Sequence, residues 1–133
     1  RTLHNTAYNL SVGYVLTGED SGFKGVVPKT AFNPSAGTWG AFEVVARFAR
    51  LDVDDDAFFD PAGAAISLAD RNASASQVTT YGLGLNWYLS KSVRINTNIF
   101  QNNFKLAPGA SPAANTVLAD DETAFITRLQ VSF

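Results

Sequence analysis

Long stretches of strict alternation constrain this chain more than any other feature. Successive side chains of an extended strand point to opposite sides, so apolar residues at every second position require a sheet with two unlike faces. Tyr8, Leu10, Val12, Tyr14 and Leu16 share one side of such a run, and Asn9, Ser11, Gly13, Val15 and Thr17 the other. The pattern recurs with Phe42, Val44, Ala46 and Phe48 against Glu43, Val45, Arg47 and Ala49. It recurs again with Tyr81, Leu83, Leu85, Trp87 and Leu89 against Thr80, Gly82, Gly84, Asn86 and Tyr88. Val93, Ile95, Thr97 and Ile99 then oppose Arg94, Asn96 and Asn98, and Phe125, Thr127, Leu129, Val131 and Phe133 oppose Ala124, Ile126, Arg128, Gln130 and Ser132. Five strands are expected, over residues 6–18, 40–53, 78–89, 93–104 and 122–133, and no segment carries a helical period.

These strands run to ten to fourteen residues, whereas strands of soluble proteins average about five or six and a tilted membrane strand needs about nine to eleven. Aromatic residues stand near the strand ends, at Tyr8, Tyr81, Trp87, Phe125 and Phe133, as in the two girdles of a membrane barrel. Mean hydropathy is zero and no run approaches the ~18 apolar residues of a spanning helix, which excludes a helical membrane protein. The absence of cysteine excludes disulfides and thiolate metal sites. A net charge of −2 gives no general attraction to nucleic acid. The expected fold is therefore all-β: an antiparallel transmembrane β-barrel, of which residues 1–133 form the C-terminal part of one domain. The start at Arg1, with a strand pattern following at once, suggests an interrupted chain.

Connection lengths suggest an orientation. Leu89-Ser90-Lys91-Ser92 is a tight polar link, while Asp54–Gln77 and Lys105–Asp121 are long; barrels have short periplasmic turns and longer external loops. With Phe133 at the periplasm, the link at Ser90 is periplasmic and both long loops are external. Asp20–Thr38 is then an unusually long periplasmic connection, in which Pro28 and Pro34 cannot donate to a ladder.

Three segments follow one another along the chain: Gly13-Tyr14 with Leu16-Thr17-Gly18-Glu19, Val27-Pro28-Lys29 and Phe32; Gly40-Ala41-Phe42-Glu43 through Ala46-Arg47-Phe48 to Arg50-Leu51-Asp52; and Gly82-Leu83-Gly84-Leu85-Asn86-Trp87-Tyr88-Leu89 followed by Val93-Arg94. Together they resemble the C-terminal portion of the phosphate-selective porin O and P family, which also has a long connection at Asp20–Thr38. The resemblance implies a barrel of about sixteen strands, integral to a Gram-negative outer membrane among lipid and lipopolysaccharide. It implies a homotrimer, inserted by the barrel-assembly machinery, that passes small solutes by passive diffusion with a preference for anions or phosphate. Five strands cannot close such a barrel, so upstream strands are expected.

By parity Arg47, Arg94, Arg128 and Glu43 fall on the polar side and are candidate pore-lining residues; basic rings favour anions, and ordinary wall charge balanced by Glu43 or loop carboxylates is the simpler alternative. Phe133, Val131 and Leu129 resemble a barrel-assembly signal, in which a strand pairs while alternate side chains fill pockets. Asp52, Asp54, Asp55, Asp56 and Asp60 would suit calcium, but they lack the EF-hand spacing and are expected to be a solvated loop. His4 has no nucleophile motif beside it, Asn72-Ala73-Ser74 is a chance sequon, and Gly82 and Gly84 would permit close packing within the wall. Neither a catalytic site nor a metal or cofactor site is expected. A porin is the leading expectation. A barrel that anchors a surface layer or partner complex, and a soluble β-sandwich binding domain, are the alternatives.

Overall fold

The structure, a computed structural model, describes residues 2–59, 67–113 and 121–133. It is all-β, with an antiparallel sheet. The long strands are β1 (Thr6–Val15), β4 (Ala41–Asp52), β5 (Ala75–Tyr88), β6 (Val93–Leu106) and β7 (Glu122–Val131), and they form one sheet in the order β1-β4-β5-β6-β7. Two short strands, β2 (Ser21–Gly22) and β3 (Gly25–Val26), pair as a separate antiparallel hairpin. Helical structure among the described residues is confined to single 3-10 turns at Pro34–Ala36 and Asp55–Ala57.

The strand bounds differ from the expected ones for local reasons. The first strand stops at Val15 because Gly18 turns the chain at φ 79°, and Thr17 donates its hydroxyl to Glu19. The third begins at Ala75 instead of residue 78. There Val53 N–H donates to the Ser76 carbonyl and Ser76 Oγ donates to the Leu106 carbonyl at 2.9 Å, which carries the ladder into a Ser/Gln stretch and extends β6 to Leu106.

The chain divides into two compact units. One comprises Arg1–Leu10, Phe48–Tyr81 and Gln101–Thr123; the other comprises Ser11–Arg47, Gly82–Phe100 and Ala124–Phe133. In the first unit Tyr8, Phe48 and Tyr81 form an aromatic row, with centroid separations of 6.0 and 5.3 Å. Beside its 3-10 turn, Ala57, Phe58 and Ala107 are buried, with Leu3, Val53, Phe59 and Ala69 packed around them. Asp54 caps that turn by accepting from the Asp56 N–H at 3.0 Å.

In the second unit the apolar side stays open. Tyr14 is 71% exposed, Leu83 60% and Leu129 64%. No second sheet covers these residues among those described. Phe32, Trp39, Phe42 and Trp87 cluster here: Phe42 and Trp87 stack at 5.6 Å, Phe32 meets Trp87 edge-on at 5.3 Å, and Trp87 Nε1 donates to the Trp39 carbonyl at 2.6 Å. The indole thus keeps an apolar body and a satisfied polar tip, the condition for a ring at a membrane interface.

The segment 20–38 is not a free connection. Its β2–β3 hairpin packs on the opposite, polar side, where Val26 joins Ala41 and Tyr88 in a small buried cluster with Val15 against it. The chain then returns beside the β5–β6 turn, where Phe32 N–H donates to the Leu89 carbonyl at 2.7 Å. Gly40 opens β4 at φ 76°, and a Cβ there would overlap the Tyr88 carbonyl. Only glycine meets both conditions.

Candidate functional site

The polar face of the second unit carries the candidate residues. Every second position of β4, β5, β6 and β7 contributes to it, so its chemistry follows from parity. At its centre Glu43 Oε2 accepts from Asn86 Nδ2 at 2.9 Å and from the Tyr88 hydroxyl at 2.8 Å. Asn86 Oδ1 in turn accepts from Asn96 Nδ2 at 2.6 Å. The chain Tyr88–Glu43–Asn86–Asn96 therefore links three neighbouring strands through side chains, beyond the backbone ladder. Such a polar network in a wall is stable only when its members are satisfied, and Asn96 Oδ1 is the one buried side-chain atom without a protein partner among the described residues.

The three arginines take separate places. Arg94 donates from Nε and Nη2 to Gln130 Oε1, at 3.0 and 2.8 Å. Arg47 Nε reaches Ser11 Oγ at 3.4 Å. Arg128 lines a cavity of about 350 Å3 with Asn86, Asn96, Asn98, Phe100 and Ile126. None of them forms an ion pair with a described carboxylate, and Glu43 spends its hydrogen bonds on an amide and a phenol. Arg94 and Arg47 are thus oriented by neutral acceptors.

Small residues make room for this layer. A Cβ on Gly82 would come within 2.8 Å of the Phe100 ring, and one on Gly84 would overlap Asn98 Oδ1. The larger side chains of β6 lie over the bare backbone of β5, as glycine in a strand permits.

The other candidates do not converge. Asp52 is engaged by Arg50 Nε at 2.8 Å and by Gln77 Nε2 at 2.6 Å. Asp54 accepts from the His4 backbone N–H at 2.7 Å, which leaves the imidazole out of that contact. No group of three metal-binding side chains comes together among the described residues, and Asp60 lies outside them. Leu129, Val131 and Phe133 are exposed on the apolar side of β7 and just beyond it. Tyr88, Asn86 and Asn96 are not marked as site residues by the sequence, because their bonds to Glu43 and to each other depend on strand register.

The phosphate-selective porin O and P family model matches residues 1–133, the whole chain. The chain belongs to this family. It is also similar to Porin O of Pseudomonas aeruginosa, with 28% identity over 127 residues, covering 95% of the chain and 26% of the relative. The chain thus spans about a quarter of the length of that curated relative. Membership in the porin family accounts for the pairing of an open apolar face with a hydrogen-bonded polar one.

Proposed function

We propose that the chain is part of the wall of an outer-membrane porin, a barrel of about sixteen strands, and that its work is passive conduction and not catalysis. The observation that carries this is the two-faced sheet: Tyr14, Leu83 and Leu129 exposed on one side, and the Glu43–Asn86–Asn96 network on the other. In water the apolar side would be a costly exposed patch; against lipid it is the favourable surface, while the polar side faces a water-filled lumen. Family membership and the relative called Porin O support the same reading. Arg47, Arg94 and Arg128 then line the lumen and bias it toward small anions, since guanidinium groups attract them. A homotrimer in outer-membrane lipid and lipopolysaccharide, inserted by the barrel-assembly machinery with Leu129, Val131 and Phe133 as part of its signal, completes the proposal.

Planar-bilayer recording of the full-length protein tests it. Discrete conductance steps are expected, with a reversal potential that favours anions and moves toward zero when Arg47, Arg94 and Arg128 are replaced by Gln. A folded, inserted protein that passes no current would refute the proposal.

A further inference from the structure

Two large apolar side chains stand on the polar side of the wall, where parity otherwise places amides, glutamate and arginine. Phe100 and Ile126 occupy the same side of β6 and β7 as Asn96, Asn98 and Arg128. In a porin wall lipid covers the opposite side, that of Leu83, Ile99 and Leu129, and so does not account for them. Ile126 is 52% exposed. Both residues line the cavity of about 350 Å3 with Asn86, Asn96, Asn98 and Arg128. That volume lies at the lower end of the ~300–1,000 Å3 usual for small-molecule sites. Gly82 and Gly84 seat two of its walls, because a Cβ on either would collide with the Phe100 ring or with Asn98 Oδ1. The side chains of Asn98 and Arg128 hold no hydrogen bond or ion pair among the described residues. Asn86 and Asn96 each spend an amide N–H inside the wall, on Glu43 and on Asn86, while Asn96 Oδ1 is buried without a protein partner.

These groups select a class of ligand. Arg128 disfavours a cation. An ionised oxyanion brings acceptors alone and offers nothing to a carboxamide oxygen. A hydroxyl both donates and accepts, as a carboxamide does, and a pyranose ring adds a flat C–H face that matches Phe100 and Ile126. We infer that this cavity is a binding subsite for one neutral pyranose ring, so that the lumen takes sugars as well as small ions. The hydroxyl edge of the ring bonds to the Asn98 carboxamide and to the planar fork of Arg128. Its C–H face lies on Phe100, whose π surface is negative and attracts polarised C–H groups. The subsite rests on the porin reading, since it places the cavity in the conduction path.

The test is saturation-transfer NMR of glucose on the full-length detergent-folded protein, with bilayer conductance of each preparation measured in parallel. Glucose should show saturable transfer, strongest at its ring C–H protons. Sorbitol, with hydroxyls but no closed ring, should need about tenfold more to half-saturate. Phe100→Ala should raise the half-saturating glucose concentration about tenfold, and Phe100→Tyr should keep it within about twofold of the parent. Asn98→Ala should raise it about threefold or more. Ser11→Ala, on the polar face but outside the cavity, should leave it unchanged. Equal transfer to glucose and sorbitol, or no shift in Phe100→Ala, would overturn the subsite. Displacement of glucose by inorganic phosphate at concentrations below glucose's own half-saturation would also overturn it, by making the cavity an oxyanion seat. Absence of current from every preparation would instead refute the porin reading, while transfer to glucose still reports on the cavity.

Discussion

Glu43 is the residue whose replacement the structure prices most directly. Its Oε2 accepts two hydrogen bonds, from Asn86 at 2.9 Å and from Tyr88 at 2.8 Å, and Tyr88 is only 5% exposed. A hydrogen bond to a charged group contributes about 1.5–3 kcal/mol and a neutral one about 0.5–1.5. Glu43→Gln can still present one oxygen to both donors, so it exchanges two charged bonds for two neutral ones and should cost about 2 kcal/mol. Glu43→Ala leaves both donors without an acceptor and should cost about 4 kcal/mol, the larger share from the buried phenol. The assay is urea unfolding of the full-length protein in lipid, followed by tryptophan fluorescence. A double-mutant cycle with Tyr88→Phe should give a coupling energy of at least about 1 kcal/mol. A Glu43→Ala variant within about 0.5 kcal/mol of the parent, or a cycle that adds without coupling, would show that the network contributes nothing and refute the reasoning.

Other perturbations follow from single contacts. Gly40→Ala must hold a side chain at φ 76° against the Tyr88 carbonyl; it should cost about 3 kcal/mol or more by the same unfolding assay. Glu19 lies outside the strands, and the Thr17 hydroxyl, with help from Lys29, holds its carboxyl below the ordinary value of 4.5. A lowered folded value means that its contribution is complete above 4.5 and is lost as pH falls through that lower value; Thr17→Val should bring the Glu19 titration, followed by carboxyl NMR shifts, back up toward 4.5. Arg50→Ala should leave the unfolding midpoint almost unchanged, because the 2.8 Å pair with Asp52 is open to solvent and well screened.

Much of this wall is legible in the chain because parity is a local property. Once β5 is extended, Asn86 and Tyr88 must share a side, and Leu85 and Trp87 the other. What parity cannot supply is which residues of adjacent strands stand opposite each other. Glu43 is therefore recognisable as a polar-face residue, but its bonds to Asn86 and Tyr88 depend on register. The strand ends also escape local reading: Ser76 looks like loop composition until the Lys105 and Leu106 carbonyls are beside it. The hairpin is the plainest case. Pro28 and Pro34 mark 20–38 as irregular, yet its landing place is decided by Val26 burying against Ala41 and Tyr88, and by Gly25 being small enough to admit Arg94. These are long-range fits that no window of sequence contains.

A barrel wall has one face in lipid and the other in water, and the two faces of this sheet must then differ in what reaches them. The chain has no cysteine, so single replacements can report each face in the full-length protein reconstituted in lipid vesicles. Leu83→Cys, Leu85→Cys, Asn86→Cys and Asn98→Cys should be probed with a membrane-impermeant thiol reagent and, after labelling with a small fluorophore, with a lipid-soluble quencher. The reagent should modify positions 86 and 98, and the quencher should reach 83 and 85. Modification of all four by the aqueous reagent, with no quenching at 83 and 85, would contradict the barrel wall.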